Sequence, residues 1–231
     1  MSAPARLDNP SAILAFLREG RWFGALPEAL QRAIVERGVV RSFGKGELII
    51  RHGAPAKGIH ALLEGRIRAT WPVDDESDVL IHVGEPGIWF GDYATLAATT
   101  SISNIAVDQP ARTLFLSVTA FERMVDEEPR WFRCFAAITL ERYAMLSRYY
   151  AEAQALPAEA WLRTRLRDMA AMRRQDAATS GPVEIAVSQS DLATAVGLSR
   201  QTLSALLARL EAQGLIEVGF RSIRVLDDGT R

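Results

Sequence analysis

The sequence predicts an α+β chain in three parts: an N-terminal antiparallel β-barrel, a long helix, and a C-terminal pair of short helices with a hairpin. Three observations carry this. From Val39 to Leu116, short runs of β-branched and aromatic residues are punctuated by glycine and other turn formers, as in antiparallel sandwiches and barrels. From Arg130 to Ala155 a helical pattern runs without Gly or Pro. From Val187 to Gly214 two short amphipathic segments flank Gly197.

In chain order, Met1 to Asn9 reads as a loose tail. Pro10 to Arg18 predicts a helix with Ile13, Leu14 and Leu17 on one face, and Leu26 to Arg37 another, opened near Pro27 and closed by Gly38. The expected strands are Val39–Phe43, Leu48–Ile50, Ile59–Leu63, Ile67–Trp71 and Val79–Val83, with Ser103–Val107 and Arg112–Leu116 closing the barrel. Glu64-Gly65 is expected to turn a hairpin, and Asp74-Asp75-Glu76-Ser77 an acidic one. Thr119 to Asp126 predicts a short helix.

The long helix carries two apolar stripes. One comprises Phe135, Ile138, Met145 and Tyr149, interrupted by Arg142; the other comprises Phe132, Ala136, Tyr143, Leu146 and Tyr150. Two stripes predict a helix gripped on two sides, by the barrel and by a second copy of itself. Leu156-Pro157 predicts a hinge. Ala160 to Met172 follows as a helix, Arg173 to Pro182 as a polar loop and Val183 to Val187 as a strand. Three domains result: residues 1–128, 129–156 and 157–231.

Within the C-terminal part, Ser188 and Ser190 are candidate caps for the first short helix, which buries Leu192, Ala193 and Val196. Gly197 ends it with a positive φ, and Ser199 caps the next. Leu203, Leu206, Leu207 and Leu210 face that helix inward, leaving Arg200, Gln201, Ser204 and Ala205 outward near its N-terminus. This is the pattern of a helix-turn-helix, whose second helix enters the DNA major groove by its first residues. Leu215 to Leu226 alternates as two strands, with Arg221 near the tip of a wing beside the phosphates.

Composition limits the alternatives. The 231 residues are 48% hydrophobic with a net charge of −1, so no chain-wide basic field marks a nucleic-acid binder. From Ala158 onward 10 Arg and no Lys stand against 9 acidic residues, so DNA binding rests on where the arginines lie. Cys134 is the one cysteine, which excludes an intrachain disulfide and suits a reducing compartment. No apolar run approaches the ~20 residues of a membrane span, and no signal-peptide pattern opens the chain. A cytoplasmic protein without a membrane partner is expected. No nucleophile–base set, metal cluster or phosphate-binding glycine loop appears, so an enzyme is not expected.

Barrel, long helix, Pro hinge and winged helix-turn-helix together resemble the CRP/FNR family of bacterial transcription regulators. The resemblance covers roughly Arg21 to Leu226. It is carried by Gly197-Leu-Ser-Arg-Gln-Thr-Leu203 with Leu210-Glu-Ala-Gln-Gly-Leu-Ile216, and by Gly46-Glu-Leu-Ile49, Leu63-Glu-Gly-Arg66 and Phe90-Gly-Asp92. It implies a cyclic-nucleotide-binding-like jelly roll, a homodimer through the long helix, and control of two-fold operator DNA by a small-molecule effector. It also implies Arg200 as the residue reading a guanine and Gln201 as suited to adenine. Ser204 accompanies them, and Gln189, Ser199 and Arg221 are cast as phosphate contacts.

The implied effector pocket is Gly91, Asp92, Tyr93, Ser103, Leu146 and Ser147. It departs from the cyclic-AMP pattern. Asp92 stands where such members have Glu, and Ile102-Ser103 where they have an Arg-Ser pair on the phosphate. Leu146-Ser147 stands where two hydroxyls face the base. A buried phosphate without its guanidinium loses the charge-assisted fork, with Arg68 and Arg112 as the alternatives that could compensate or be solvated surface charges, so cyclic AMP is not the expected effector, and the effector stays unknown. Two alternatives stay open. In one, the barrel has lost its ligand and serves as dimer scaffold or as a contact for RNA polymerase. In the other, a haem reports gas or redox state, with His52, His60, His82 and Met145 as the available ligands. One cysteine cannot hold an iron–sulfur cluster. Cys134 is expected in the core.

Overall fold

The computed structural model describes residues 7, 9–73, 78–177 and 181–226, with side chains for all but 172–177. The expected acidic turn at 74–77 and most of the tail lie outside these residues. The chain divides into two compact units, Met1–Asp78 with Val83–Tyr143, and Val79–His82 with Ala144–Arg231. The division falls inside the long helix, whereas the sequence suggests a hinge at Leu156-Pro157.

The first unit opens with α1 (Pro10–Arg18), α2 (Arg21–Gly24) and α3 (Glu28–Arg37). Asn9 caps α1 by accepting from the Ala12 N–H at 2.8 Å. The turn α2 is not foreseen by periodicity. It forms because Phe23 is buried and Gly24 passes so near α1 that a Cβ there would lie 2.5 Å from the Arg18 carbonyl oxygen. Gln31 stitches the three together. Its buried amide donates to the carbonyls of Phe23 and Leu26, each at 3.0 Å, while its oxygen accepts from Arg18 Nε at 2.7 Å.

The barrel strands are β1 (Val39–Phe43), β2 (Leu48–Ile50), β3 (Gly58–Pro72), β4 (Asp78–Gly84), β5 (Trp89–Phe90) and, after helix α4 (Asp92–Leu96), β6 (Asn104–Ser117). The sheet order is β1-β6-β3-β4, with β2 also on β6 and β5 also on β3. Here the sequence reading is corrected. Glu64-Gly65 turns no hairpin: Ile59–Leu63 and Ile67–Trp71 belong to one strand, β3, and the two expected closing strands likewise form one, β6. The antiparallel pair runs from Gly58↔Ser117 to Thr70↔Asn104 and shifts register between Leu62 and Ile67. Gly65 sits at the shift with φ +87, and a Cβ there would fall 2.1 Å from the Pro110 carbonyl oxygen. It is a bulge facing a proline, a place where a ladder tolerates both residues.

Leu62, Ile67, Phe90, Ile105 and Val107 fill the barrel. A second cluster packs α1–α3 and α5 (Val118–Glu127) against Ile59, Leu63, Leu114 and Leu116, and reaches Phe135 and Ile138 of α6 (Trp131–Ala155). Cys134 is only partly buried, against the margin of this cluster.

The second unit contains the C-terminal part of α6, then α7 (Ala158–Ala177), β7 (Val183–Ile185), α8 (Gln189–Val196), α9 (Arg200–Ala212), β8 (Ile216–Gly219) and β9 (Ser222–Val225). α7 runs to Ala177, so the expected polar loop from Arg173 is helical over its first five residues; 178–180 lie outside the described residues. The strands pair in the order β7-β9-β8. Among the described residues no helix is long and apolar enough to cross a membrane.

Candidate nucleic-acid interface and effector pocket

The reading head follows from capping and periodicity. Ser188 caps α8 by accepting from the Asp191 N–H at 3.1 Å, and Ser199 caps α9 by accepting from the Thr202 N–H at 3.0 Å. Gly197 between them takes φ +69, with open space where a Cβ would stand. Leu192, Ala193 and Val196 of α8 and Leu203, Leu206, Leu207 and Leu210 of α9 are all buried in one core. That burial fixes the rotation of α9. Arg200, Gln201, Ser204 and Ala205 are thereby turned to solvent on its N-terminal face.

Ser190 is not a cap. Its hydroxyl accepts from Arg200 Nη2 at 2.8 Å, so α8 holds the arginine at the start of α9. This contact joins residues ten apart across the turn, and no periodicity signals it. Gln189 is exposed at the first position of α8. The Ser199 hydroxyl, besides accepting from the Thr202 N–H, lies 2.8 Å from Thr202 Oγ1 and is exposed. Arg221 lies at the wing tip with φ +54.

The effector-pocket candidates divide between the two units: Gly91, Asp92, Tyr93 and Ser103 fall in the first, Leu146 and Ser147 in the second. Gly91 caps α4 with φ +85, and a Cβ there would lie 2.5 Å from the Gly58 carbonyl oxygen. Its identity is a requirement of close backbone approach. Asp92 is 2% exposed. One carboxylate oxygen accepts from Thr139 Oγ1 at 2.6 Å, and the other is ion-paired with Arg142. Arg142 also donates to the Trp89 carbonyl. Asp92 is thus engaged by α6. Arg142 and Thr139 are site residues that sequence reasoning passed over. The signal available was the interruption of an apolar stripe, since a cation at an inward helix position calls for a buried anion. Tyr93 is exposed, and the backbone of Ser103 bonds to Ser101 Oγ. Leu146 and Ser147 are exposed on α6.

Of the histidines, His60 is a core residue. Its ring stacks on Phe90 at 5.0 Å and approaches Phe115 at 4.6 Å. Its Nδ1 lies 3.0 Å from Thr113 Oγ1. Burial, then the charge of Arg41, pushes its pKa down to about 3. His52 is exposed, with its ring 6.3 Å from Trp71. Among the described residues no three His, Cys, Asp or Glu side chains group as a metal site.

Residues 161–228 match the Crp-like helix-turn-helix domain and residues 40–128 the cyclic nucleotide-binding domain. The chain belongs to the CRP/FNR family of transcription regulators. It is a DNA-binding regulator with a cyclic-nucleotide-binding-like sensory domain, and no enzyme. No curated protein sequence matches it. Among solved structures, FixK2 of Bradyrhizobium japonicum is 20% identical with a TM-score of 0.70, covering 82% of this regulator and 92% of that chain. The c-di-GMP-responsive global regulator CLP of Xanthomonas campestris is 15% identical with a TM-score of 0.67, covering 87% and 100%. A CRP/FNR-family regulator of Thermus thermophilus is 22% identical with a TM-score of 0.63, covering 82% and 94%. At these identities the likeness is one of fold.

Proposed function

We propose that this regulator is a homodimer that reads a two-fold operator under the control of an effector other than cyclic AMP. The observation that carries the effector reading is the engagement of Asp92. The acid that would meet a ribose hydroxyl is buried and bonded to Arg142 and Thr139. The loop beyond it offers Ile102 in place of a phosphate-binding arginine. A nucleotide entering here would have to compete for Asp92 against a guanidinium already in contact, and its phosphate would find no arginine at position 102. The c-di-GMP-responsive relative supports the reading that this fold answers to more than one ligand.

Dimerisation is supported by the second stripe of α6. Tyr143 is 69% exposed and Tyr150 71%. They stand seven residues apart, with Leu140, Leu146 and Phe132 exposed nearby. An apolar seam at heptad spacing along a 25-residue helix fits a second copy of itself. In the dimer, Arg200 of each protomer reads a guanine by its fork, Gln201 and Ser204 meet neighbouring bases, and Gln189, Ser199 and Arg221 hold phosphates.

The test is selection of genomic fragments by the purified chain with and without cyclic AMP, with calorimetric titration of the nucleotide. Fragments recovered equally in both conditions, and no micromolar binding, are expected. Recovery only with cyclic AMP would overturn the effector reading. Sedimentation of Tyr143→Glu, expected as a monomer at concentrations where the unaltered chain is a dimer, tests the seam.

A further inference from the structure

The tip of the wing breaks the rules of its own turn. Gly219 pairs with Ser222, so Phe220 and Arg221 alone make the loop of a two-residue hairpin. Such loops favour Asn, Asp or Gly wherever φ is positive, which in this one is the second position, and they gain nothing from a large side chain. Here Arg221 occupies the left-handed region at φ +54, where a β-carbon is disfavoured. Phe220 is 95% exposed, so its ring contributes almost nothing to the core. Two unfavourable choices stand side by side without compensation inside the fold. Positions where local chemistry is broken in this way are where function is expected.

The tip is firmly mounted. β8 and β9 pair along their whole length, and β9 pairs with β7 on its other side. Ile216, Ile223 and Val225 enter the same core as the leucines of α9. Glu211 near the end of α9 accepts from the Val218 N–H at 2.8 Å. The backbone of the tip is therefore carried at a fixed place relative to the recognition helix. Along the ladder the cation Arg224 is paired with Glu217 at 3.2 Å. For Arg221 the structure gives no carboxylate partner among the described residues.

We infer that Phe220 is a DNA-contacting residue: it packs into the minor groove flanking the bases read by α9, with Arg221 on the adjoining phosphates. The inference rests on the DNA reading above and adds to it an apolar, minor-groove contact. A single apolar side chain is what minor-groove proteins insert against sugars and between base steps. A protein partner would ask for more. A specific interface buries roughly 800 Å² per side, and this ring is flanked by Gly219, Arg221 and Ser222, which add little apolar surface.

The probe is a duplex recovered from genomic fragments by the unaltered full-length chain, and the variants are Phe220→Asn and Phe220→Leu. Phe220 is 95% exposed, so Phe220→Asn is expected to keep the melting temperature while weakening binding roughly tenfold. Protection of the flanking sugars from hydroxyl radicals is expected to vanish, with major-groove guanine protection kept. Phe220→Leu, still apolar, is expected to lie between. Unchanged affinity and unchanged flank protection in Phe220→Asn would overturn the inference and leave the ring to a protein partner. If the unaltered chain recovers no duplex at all, the DNA reading falls and takes this inference with it.

Discussion

In the barrel unit His60, Asp92 and Thr113 are buried and spend their hydrogen bonds inside the fold. In the C-terminal unit Arg200, Gln201 and Ser204 stand in solvent over a wall of leucines. The first arrangement uses polarity to fix one internal geometry, since a buried polar group left unpaired is costly. The second keeps polarity available, since a base edge can be read only by groups not already consumed. The difference separates the unit that is set from the unit that reads.

The sharpest way to break that contrast is to remove Arg142. Arg142→Ala leaves the Asp92 carboxylate buried with Thr139 alone and frees the Trp89 carbonyl. Stranding one half of such a pair costs about 3–5 kcal/mol, and the partial exposure of Arg142 places this one at the lower end, about 3 kcal/mol. Urea unfolding followed by tryptophan fluorescence is expected to show it. Asp92→Asn, which keeps the shape and an acceptor, is expected to cost less. Equal stability of Arg142→Ala and the unaltered chain would show that the pair sets nothing.

The next largest effect is a pH dependence. Because the folded chain holds His60 at about 3 against an ordinary 6.5, the unfolded chain takes up a proton first as pH falls. Stability from this group is therefore complete above pH 6.5 and is lost on the way down to about 3. The slope is about 1.4 kcal/mol per pH unit, or about 2 kcal/mol between pH 6.5 and 5. His60→Phe, which can keep the stack on Phe90, is expected to lose that share of the acid slope. An unaltered slope in the variant would mean that the ring is protonated in place.

How much of each unit was legible in the sequence follows the same division. Ser188, Gly197, Ser199 and the four leucines of α9 act within a few residues of one another, so caps and 3.6-residue periodicity located them and left Arg200 and Gln201 outward. The barrel depends on partners far apart in the chain. Glu64-Gly65 has the composition of a hairpin. Only the approach of Pro110, 45 positions away, makes Gly65 a bulge in one continuous strand. Asp92 was identified by its place after Phe90-Gly91, but not its partner, because Arg142 lies on a helix separated by the whole of β6 and α5. In the second unit the long-range pairs, such as β7 on β9 and Trp161 Nε1 on the Val196 carbonyl, lie behind the helix-turn-helix and leave its local caps and stripes unaltered.

The smallest effects lie where the contrast is least clean, at Ser190. Arg200→Ala should cost ~1–3 kcal/mol of discrimination at one base position, with weaker loss elsewhere. Ser190 touches no base in this reading. It takes one of the five guanidinium N–H donors and leaves the fork with enough to bond a guanine O6 and N7. Its contribution is to lower the entropy of a long exposed side chain before DNA arrives, which for one rotamer-rich side chain is roughly 0.5–1.5 kcal/mol. Ser190→Ala should therefore weaken the preferred sequence by a few-fold while leaving binding to random duplex and the melting temperature unchanged, and Ser190→Thr should restore it. The double substitution with Arg200→Ala should add nothing to Arg200→Ala alone. An additive double variant would show that Ser190 acts on DNA directly, and that the hydroxyl belongs with Gln189 among the phosphate contacts.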